Sequence, residues 1–279
     1  MVTFTSRRFA LALMLVGFAL ACIACDRSQA DQFVDVGGYK LGIYCTGEGS
    51  PTVIMDAGGG SNSGSWRAVQ PSIAQQTKAC SYDRAGLGKS EDRLNTDIDG
   101  TFVADELHQL LVGAGLQPPF VFVGHSVGGI YVRLYDAQYP GETAGFVFVD
   151  PSHEDQFKVF DAEWQIPDFG DEGGSRIGYQ PVIDELHQKK SYGAMPIIAL
   201  DSGKIMNPEW LDLRRDLAQR STNSLLVVAN DAGHSIQKEA PDVVVKSIDL
   251  VVDAARTGAP LPACEPSFAG LDAKCEPVR

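Results

Sequence analysis

The sequence predicts an α/β protein in which helices cover both faces of a mostly parallel sheet. Short apolar runs recur along the chain, and several are apolar throughout, which is typical of strands covered on both faces. Segments with the apolar spacing of helices separate these runs. Strands that alternate with helices form parallel sheets with right-handed crossovers. A composition of 44% hydrophobic and 21% charged residues excludes a disordered or collagen-like chain.

Seven runs and four longer segments define the predicted elements in chain order. The predicted strands are Tyr39–Tyr44, Thr52–Met55, Ala79–Tyr82, Phe120–Val123, Gly145–Val149, Pro196–Leu200 and Leu225–Ala229. The predicted helices are Gly100–Leu116, Gly128–Ala137, Trp210–Ser221 and Pro241–Ala255.

The N-terminus has the pattern of an export signal. Arg7 and Arg8 precede sixteen residues without a charged or strongly polar side chain, and small residues at Ser28 and Ala30 offer a cleavage site before Asp31. A run of sixteen falls short of the roughly 20 residues that span a bilayer, which argues against a membrane anchor. We therefore expect a periplasmic or secreted protein whose mature form has no transmembrane span.

Two cysteines of this segment, Cys22 and Cys25, each follow a small residue, as the cysteines of lipoprotein signals do. Because neither has leucine three residues earlier, a lipid anchor at one of them is the alternative to simple cleavage. Removing residues 1–30 takes away three arginines and one aspartate and changes the formal charge from −13 to −15. This acidity argues against a nucleic-acid partner and against a basic membrane-binding patch.

Two parts of the chain depart from the strand–helix alternation. Residues 151–194 are too long for an ordinary connection and include Trp164, so we interpret them as a lid over an active site, with a surface loop as the alternative. The Pro-rich residues 258–279 predict an irregular tail. Trp66, Trp164 and Trp210 are candidates for lining an acyl or aryl pocket, although each would fit the core equally well.

The pattern Gly124-His125-Ser126-Val127-Gly128 follows a predicted strand and opens a predicted helix. In that context G-x-S-x-G is typical of a nucleophile on a strand-to-helix turn. The turn is so tight that positions 124 and 128 cannot easily carry a Cβ atom, and it pushes the Ser126 hydroxyl out above the sheet. Ser126 is therefore the candidate nucleophile.

With this motif, the chain resembles the α/β-hydrolase superfamily over most of residues 37–256. The resemblance also rests on Tyr82–Ser90, which is similar to the Y-D-R-x-G-x-G-x-S stretch of the family, and on Asp231–His234, which is similar to its C-terminal Gly-His motif. It implies an eight-stranded, mostly parallel sheet wrapped by helices, here as one domain over residues 31–279 with a helical lid at 151–194.

The resemblance also bears on the four cysteines outside the signal, which allow three pairings. In the family fold the strands that end near Cys45 and Cys80 are neighbours, which places these two within bridging reach. The ten residues between Cys264 and Cys275 make a comfortable loop that would staple the tail. We expect both bridges, with free buried thiols as the alternative.

Five histidines compete for the role of the base that a serine nucleophile needs. His234 follows a predicted strand in a loop, where the family base belongs, and is the candidate. His125 lies within the elbow and is expected to point away from the base. His108 and His187 lie in helix-like segments, and His153 lies at the start of the lid.

Two aspartates qualify as the acid that orients the imidazole, given the chain order Ser, Asp, His. Asp150 ends the strand after the nucleophile helix, and Asp201 ends the next strand. Most family members carry the acid at the later position, but the residues around Asp150 are similar to relatives that carry it at the earlier one. We expect Asp150 and retain Asp201 as the alternative.

Negative charge on a carbonyl oxygen needs two preorganised donors. The backbone N–H of Val127 is one candidate, and the loop after the strand Thr52–Met55 supplies the other. By register this is Gly58, with Gly59 in reserve. The chain departs from the family here, since most members have His-Gly where this chain has Asp56-Ala57.

A serine nucleophile implies acyl transfer to water, whereas haloalkane dehalogenases and epoxide hydrolases of this fold carry aspartate there. We therefore expect a monomeric, exported serine hydrolase that cleaves small-molecule carboxylic esters. The alternatives are a lactonase, an amidase, an acyltransferase or perhydrolase with the same triad, and a non-catalytic binding member of the fold. Outside the signal the sequence has no metal-ligand motif, so neither a metal nor a cofactor is expected.

Overall fold

The computed structural model describes Met1 and residues 30–159, 169–205 and 207–279. The interior of the predicted signal, with Cys22 and Cys25, lies outside the described residues, and so does Trp164. Among the described residues, no helix has both the length and the apolar character needed to cross a membrane.

The described residues form twelve strands. They are β1 (Ala30–Asp35), β2 (Lys40–Thr46), β3 (Thr52–Asp56), β4 (Ala79–Tyr82), β5 (Asp97–Asp99), β6 (Phe120–His125), β7 (Thr143–Val149), β8 (Phe169–Glu172), β9 (Ser175–Gly178), β10 (Ile197–Ser202), β11 (Ser224–Ala229) and β12 (Ala273–Glu276).

The helices of the described residues lie between and after these strands. They are a 3₁₀ turn (Ser63–Trp66), α1 (Gln70–Ile73), α2 (Phe102–Gly113), α3 (Gly128–Gln138), α4 (Gln156–Val159), α5 (Gln180–Gln188), α6 (Pro208–Gln219), α7 (Ile236–Glu239), α8 (Pro241–Thr257) and α9 (Cys264–Ser267).

Nine of the described strands form one sheet in the order β1-β2-β4-β3-β6-β7-β10-β11-β12. The six central strands of this sheet, β4, β3, β6, β7, β10 and β11, are parallel to one another. The outer strands β1, β2 and β12 pair antiparallel with their neighbours. The α/β class and the mostly parallel sheet are thus confirmed. The sheet has one strand more than the eight expected, because β12 from the predicted irregular tail covers the edge of β11, which would otherwise expose unpaired backbone groups.

The central strands are buried on both faces, which explains their unbroken apolar character. Within β6, Phe120 and Phe122 belong to the core that includes residues of α2 and α3, whereas Val121 and Val123 belong to the core that includes residues of α8. Successive side chains of a strand point to opposite faces, so a strand covered on both faces carries apolar side chains at consecutive positions.

The described part of residues 151–194 combines helices with a β-hairpin and is not helical throughout. The hairpin of β8 and β9 pairs with β5 in a separate three-stranded sheet. The hairpin was not predicted, because its strands are short and rich in glycine and charged residues.

Two cysteine pairs lie at disulfide distance. Cys45 and Cys80 are direct partners across β2 and β4, with their sulfur atoms 2.07 Å apart. Cys264 at the start of α9 and Cys275 in β12 are joined across 1.96 Å. The two predicted pairings are therefore present, and the second fastens the tail beside its edge strand.

Candidate active site

Ser126 lies between the end of β6 and the start of α3, at the carboxyl edge of the sheet. Its φ of 53° is in the left-handed region, which a residue other than glycine adopts at a cost of about 1–3 kcal/mol. A Cβ atom at Gly124 would lie 2.6 Å from the Cα atom of Gly129, and one at Gly128 would lie 2.7 Å from the carbonyl oxygen of Asp56. The motif needs glycine at both positions because backbone passes directly beside them.

A pocket of about 360 Å³ opens at this edge. Its lining brings together Ser126, Asp150 and His234, which come from three different strand ends. Strand ends and the loops after them also supply several further lining residues, and α6 supplies Trp210 and Arg214. Trp66, by contrast, is fully buried in the core.

His234 and Asp150 form a short hydrogen bond. The distance from Nδ1 of His234 to Oδ2 of Asp150 is 2.6 Å. Burial alone would raise the pKa of Asp150, but the hydrogen bond with His234 and the charge of Arg214 lower it below its ordinary value. Asp150 is therefore a carboxylate that accepts a hydrogen bond from Nδ1–H of His234, which leaves Nε2 as the nitrogen with a free lone pair.

Arg214 is a residue of the site that the sequence reasoning missed. Its Nη2 atom donates to Oδ1 of Asp150 across 2.9 Å, and its Nε atom lies 3.3 Å from Oδ1 of Asp201. The guanidinium lies over the ring of Trp210, 4.4 Å from the centroid. An arginine between the buried Leu213 and Leu217 on α6 was the available signal.

Asp201 lies on the other side of Arg214, near the end of β10. Among the described residues it makes no hydrogen bond with His234. Burial raises the pKa of Asp201 to about 7, and the neighbouring carboxylate of Asp150 adds to the rise, although Arg214 opposes it. The two candidate acids are thus distinguished by their partners, since Asp150 contacts the imidazole of His234, whereas Asp201 contacts Arg214 and lies close to Asp150.

His125 faces the base, contrary to the expectation that it would point away. Its Nε2 atom lies 2.9 Å from the backbone carbonyl oxygen of His234, and the two ring centroids are 4.7 Å apart. Burial, together with the nearby His234, lowers the pKa of His125 to about 4, so the ring is neutral at pH 7. A neutral ring that donates from Nε2 fixes the loop that carries His234.

The other histidines lie outside the pocket and have structural partners. His153 contacts Asp216 at 3.0 Å, His187 contacts Asp155 at 2.9 Å, and His108 stacks on a tyrosine ring.

The two predicted oxyanion donors flank Ser126. Val127 directly follows the serine at the start of α3, and a Cβ atom built at Gly58 would lie 3.3 Å from Cβ of Ser126. Within the described parts of the chain, the amide N–H groups of Gly58 and Val127 have no acceptor. Gly59, the reserve donor, lies beside the Val127 side chain. Two unpaired donors beside a serine are suited to binding a developing oxyanion.

The described residues contain no group of three or more histidine, cysteine or acidic side chains that could hold a metal ion.

A family model described as the alpha/beta hydrolase fold matches residues 51–183. The uncharacterised protein YqjL of Bacillus subtilis (strain 168) is 26% identical over 233 residues, which cover 77% of this chain and 89% of YqjL. A thermophilic esterase from Thermogutta terrifontis superposes with a TM-score of 0.62 at 18% identity, covering 81% of this chain and 99% of that chain. The haloalkane dehalogenase DatA from Agrobacterium tumefaciens C58 gives 0.62 at 13% identity, with 82% and 98% covered. Because the two solved structures differ in chemistry and share little identity, they establish the fold alone.

Proposed function

Since the chain belongs to the α/β-hydrolase superfamily, we propose that it is a serine hydrolase that cleaves carboxylic esters through an acyl-enzyme. In this proposal Ser126 is the nucleophile, His234 the general base and Asp150 the acid. The observation that carries the proposal is the meeting of the strained Ser126 with the hydrogen-bonded pair of His234 and Asp150 in one pocket.

In the first half-reaction, Nε2 of His234 takes the proton of the Ser126 hydroxyl as Oγ attacks the ester carbonyl. The imidazolium that forms is stabilised by the carboxylate of Asp150 across the 2.6 Å bond. The carbonyl oxygen becomes negative and is bound by the amide N–H groups of Val127 and Gly58. His234 then gives its proton to the leaving alcohol, and the acyl group remains on Ser126.

In the second half-reaction, His234 takes a proton from water, and the resulting hydroxyl attacks the acyl carbonyl. The same two amides bind the second oxyanion, and the proton returns to Oγ of Ser126 as the acid leaves. Each half-reaction therefore returns His234 to its neutral form, and no step requires another group.

The test is covalent labelling by a fluorophosphonate probe, followed by hydrolysis of an aryl-ester series. We expect labelling of the wild type and its loss in Ser126→Ala. Ser152→Ala, a matched change of a second serine of the same pocket, is expected to retain labelling. A folded wild type that is not labelled would refute the enzyme hypothesis and favour the non-catalytic binding alternative.

The choice among ester, lactone and amide substrates rests on product analysis with a panel of all three classes. The pocket is lined mainly by apolar surface and includes the Trp210 ring, which favours esters with a small apolar acyl or aryl group. Hydrolysis of lactones or amides with higher kcat/KM than every ester would assign the corresponding alternative. Transfer of the acyl group to an added alcohol or to peroxide in preference to water would indicate an acyltransferase or perhydrolase.

We further propose that the protein is exported as a monomer, with residues 1–30 removed. The signal-like N-terminus and the two cysteine bridges support an oxidising compartment. The mass of the protein from cells that export it provides the test. A chain that begins at Asp31 supports cleavage, and a lipid-modified Cys22 or Cys25 supports the lipoprotein alternative.

A further inference from the structure

Residues 56–60 form the oxyanion loop, which carries the second candidate oxyanion donor. A buried arginine holds this loop. Nη1 of Arg84 donates to the carbonyl oxygen of Ala57 across 2.6 Å, and Nη2 donates to the carbonyl oxygen of Gly58 across 2.9 Å. In a trans peptide the carbonyl and the following N–H point in opposite directions. By binding the Ala57 carbonyl, Arg84 turns the N–H of Gly58 away from itself.

Arg84 is in turn held by Glu172, which comes from β8 in the segment 151–194. Oε1 of Glu172 lies 2.5 Å from Nη2 of Arg84, and Oε2 lies 3.1 Å from Nε, a two-point contact that fixes the guanidinium plane. Oε1 also accepts the N–H of Gly60 at 3.2 Å. Three successive peptide units of the loop, from Ala57 to Gly60, are therefore bound by this one ion pair.

The ion pair is shielded from water, and its guanidinium is shared by two carboxyl groups. The side chains of Arg84 and Glu172 are 3% and 5% exposed, and Asp56 supplies a second carboxyl group to the same guanidinium. Tyr131 of α3 places its hydroxyl 3.4 Å from Glu172 and its ring 5.2 Å beneath the guanidinium. A buried arginine that lost one carboxylate would remain charged and seek other acceptors, so the loop depends on Glu172.

The hairpin that carries Glu172 packs directly against Ala85 and Gly86, the residues that follow Arg84. A Cβ atom at Gly86 would lie 2.0 Å from the carbonyl oxygen of Gly173, and one at Gly173 would lie 2.2 Å from the carbonyl oxygen of Ala85. Backbone therefore touches backbone at this contact. The hairpin is a fixed support for the site rather than a surface loop.

We propose that Glu172 is a positioning residue for catalysis, which holds Arg84 and thereby sets the direction of the Gly58 oxyanion donor. The inference rests on the proposed function. It assigns to the hairpin β8–β9 a role in transition-state stabilisation that is separate from substrate binding.

The test is steady-state hydrolysis of an aryl ester by Glu172→Gln. Loss of an oxyanion donor costs about 100- to 1,000-fold in kcat, so we expect a misaligned donor to lower kcat by about 10- to 100-fold with KM within about threefold. The rate of fluorophosphonate labelling should fall in parallel, because phosphonylation develops the same charge. Glu172→Asp, which keeps the charge, should recover part of kcat and decides the question if the glutamine variant does not fold.

The matched control is Glu106→Gln. Glu106 is also buried, contacts Arg93 with both oxygens at 2.7 Å and 2.5 Å, and also binds a tyrosine hydroxyl, but it does not contact the oxyanion loop. We expect it to lower the melting temperature as much as Glu172→Gln while kcat stays within about twofold. A raised KM with unchanged kcat in Glu172→Gln, or equal kcat losses in both variants, would overturn the positioning role. A wild type that hydrolyses no ester and is not labelled would instead refute the proposed function, and the catalytic role of Glu172 with it.

Discussion

Replacing Asp150 by asparagine tests which carboxylate serves as the triad acid. Asp150 binds Nδ1 of His234 at 2.6 Å, and in the proposed mechanism the imidazole becomes positively charged during the reaction. A full carboxylate about 4 Å from that charge stabilises it by about 4 kcal/mol at an effective dielectric constant of 20. Since 1.36 kcal/mol is a factor of ten, we expect Asp150→Asn to lower kcat about 1,000-fold. The remaining positive charge of Arg214 works in the same direction, because it disfavours the imidazolium.

The measurement is kcat and KM for an aryl ester at pH 8, together with circular dichroism to establish that the variant is folded. Asp201→Asn is the matched control, since it makes the same change on the other side of Arg214. We expect it to change kcat by less than about tenfold, because its neighbour is Arg214 rather than the imidazole. A folded Asp150→Asn variant that keeps its activity while Asp201→Asn loses it would refute this reasoning and make Asp201 the acid.

Three further predictions concern stability and the base. Because Asp201 has its pKa raised to about 7 from 3.8, its ionisation costs stability as pH rises from about 4 to 7. Asp201→Asn should therefore stabilise the protein at pH 8, by at most about 4 kcal/mol, and have little effect at pH 4, which urea unfolding at the two pH values measures. An equal effect at both values would contradict the raised pKa. His125→Phe removes the donor to the His234 carbonyl, so we expect kcat to fall about tenfold and the melting temperature to fall as well, and unaltered kcat in the folded variant would show that the bond does not orient the base. The Cys45–Cys80 bridge closes a loop of 35 residues, so replacing both cysteines by alanine should lower the free energy of unfolding by about 4 kcal/mol. Under fully reducing conditions, the wild type and the double variant should have the same free energy of unfolding.

The sheet was predictable because its central strands carry their own signal. Strands such as β6 and β7 are buried on both faces, so each contains a run of four successive large apolar residues that stands out from the surrounding chain. The edge strand β12 and the hairpin β8–β9 contain charged residues and glycine, and they form only because a neighbouring strand offers unpaired backbone groups. Pairing of that kind depends on tertiary structure and leaves no local pattern.

The site was predictable to the extent that its chemistry is local. The elbow around Ser126 is set by consecutive residues, and its glycines are required by contacts within the same turn and with one adjacent loop. The choice between Asp150 and Asp201 was open in the sequence because both end parallel strands that are direct neighbours. What separates them is a tertiary contact: Asp150, with a φ of 42°, accepts the hydrogen bond of His234, whereas Asp201 lies on the other side of Arg214.

The oxyanion loop contains Asp56 at a position where the family pattern has another residue. The chain has Asp56-Ala57 where most members of the superfamily have His-Gly, and a buried aspartate near the proposed nucleophile would by itself oppose a developing negative charge. Burial raises the pKa of Asp56 to about 6, with Arg84 opposing the rise. The guanidinium of Arg84 contacts both Asp56 and Glu172, so the negative charge of the two carboxyl groups is partly neutralised within the cluster. In the proposed arrangement the N–H of Gly58 is the group of this loop that faces the serine, and protonation of Asp56 would remove one of the two negative charges. The activity should therefore depend less on the identity of residue 56 than on the ion pair of Arg84 and Glu172, so that Asp56→Asn lowers kcat less than Glu172→Gln in the same aryl-ester assay. The reverse order would mean that Asp56 itself, and not the ion pair, sets the direction of the donor.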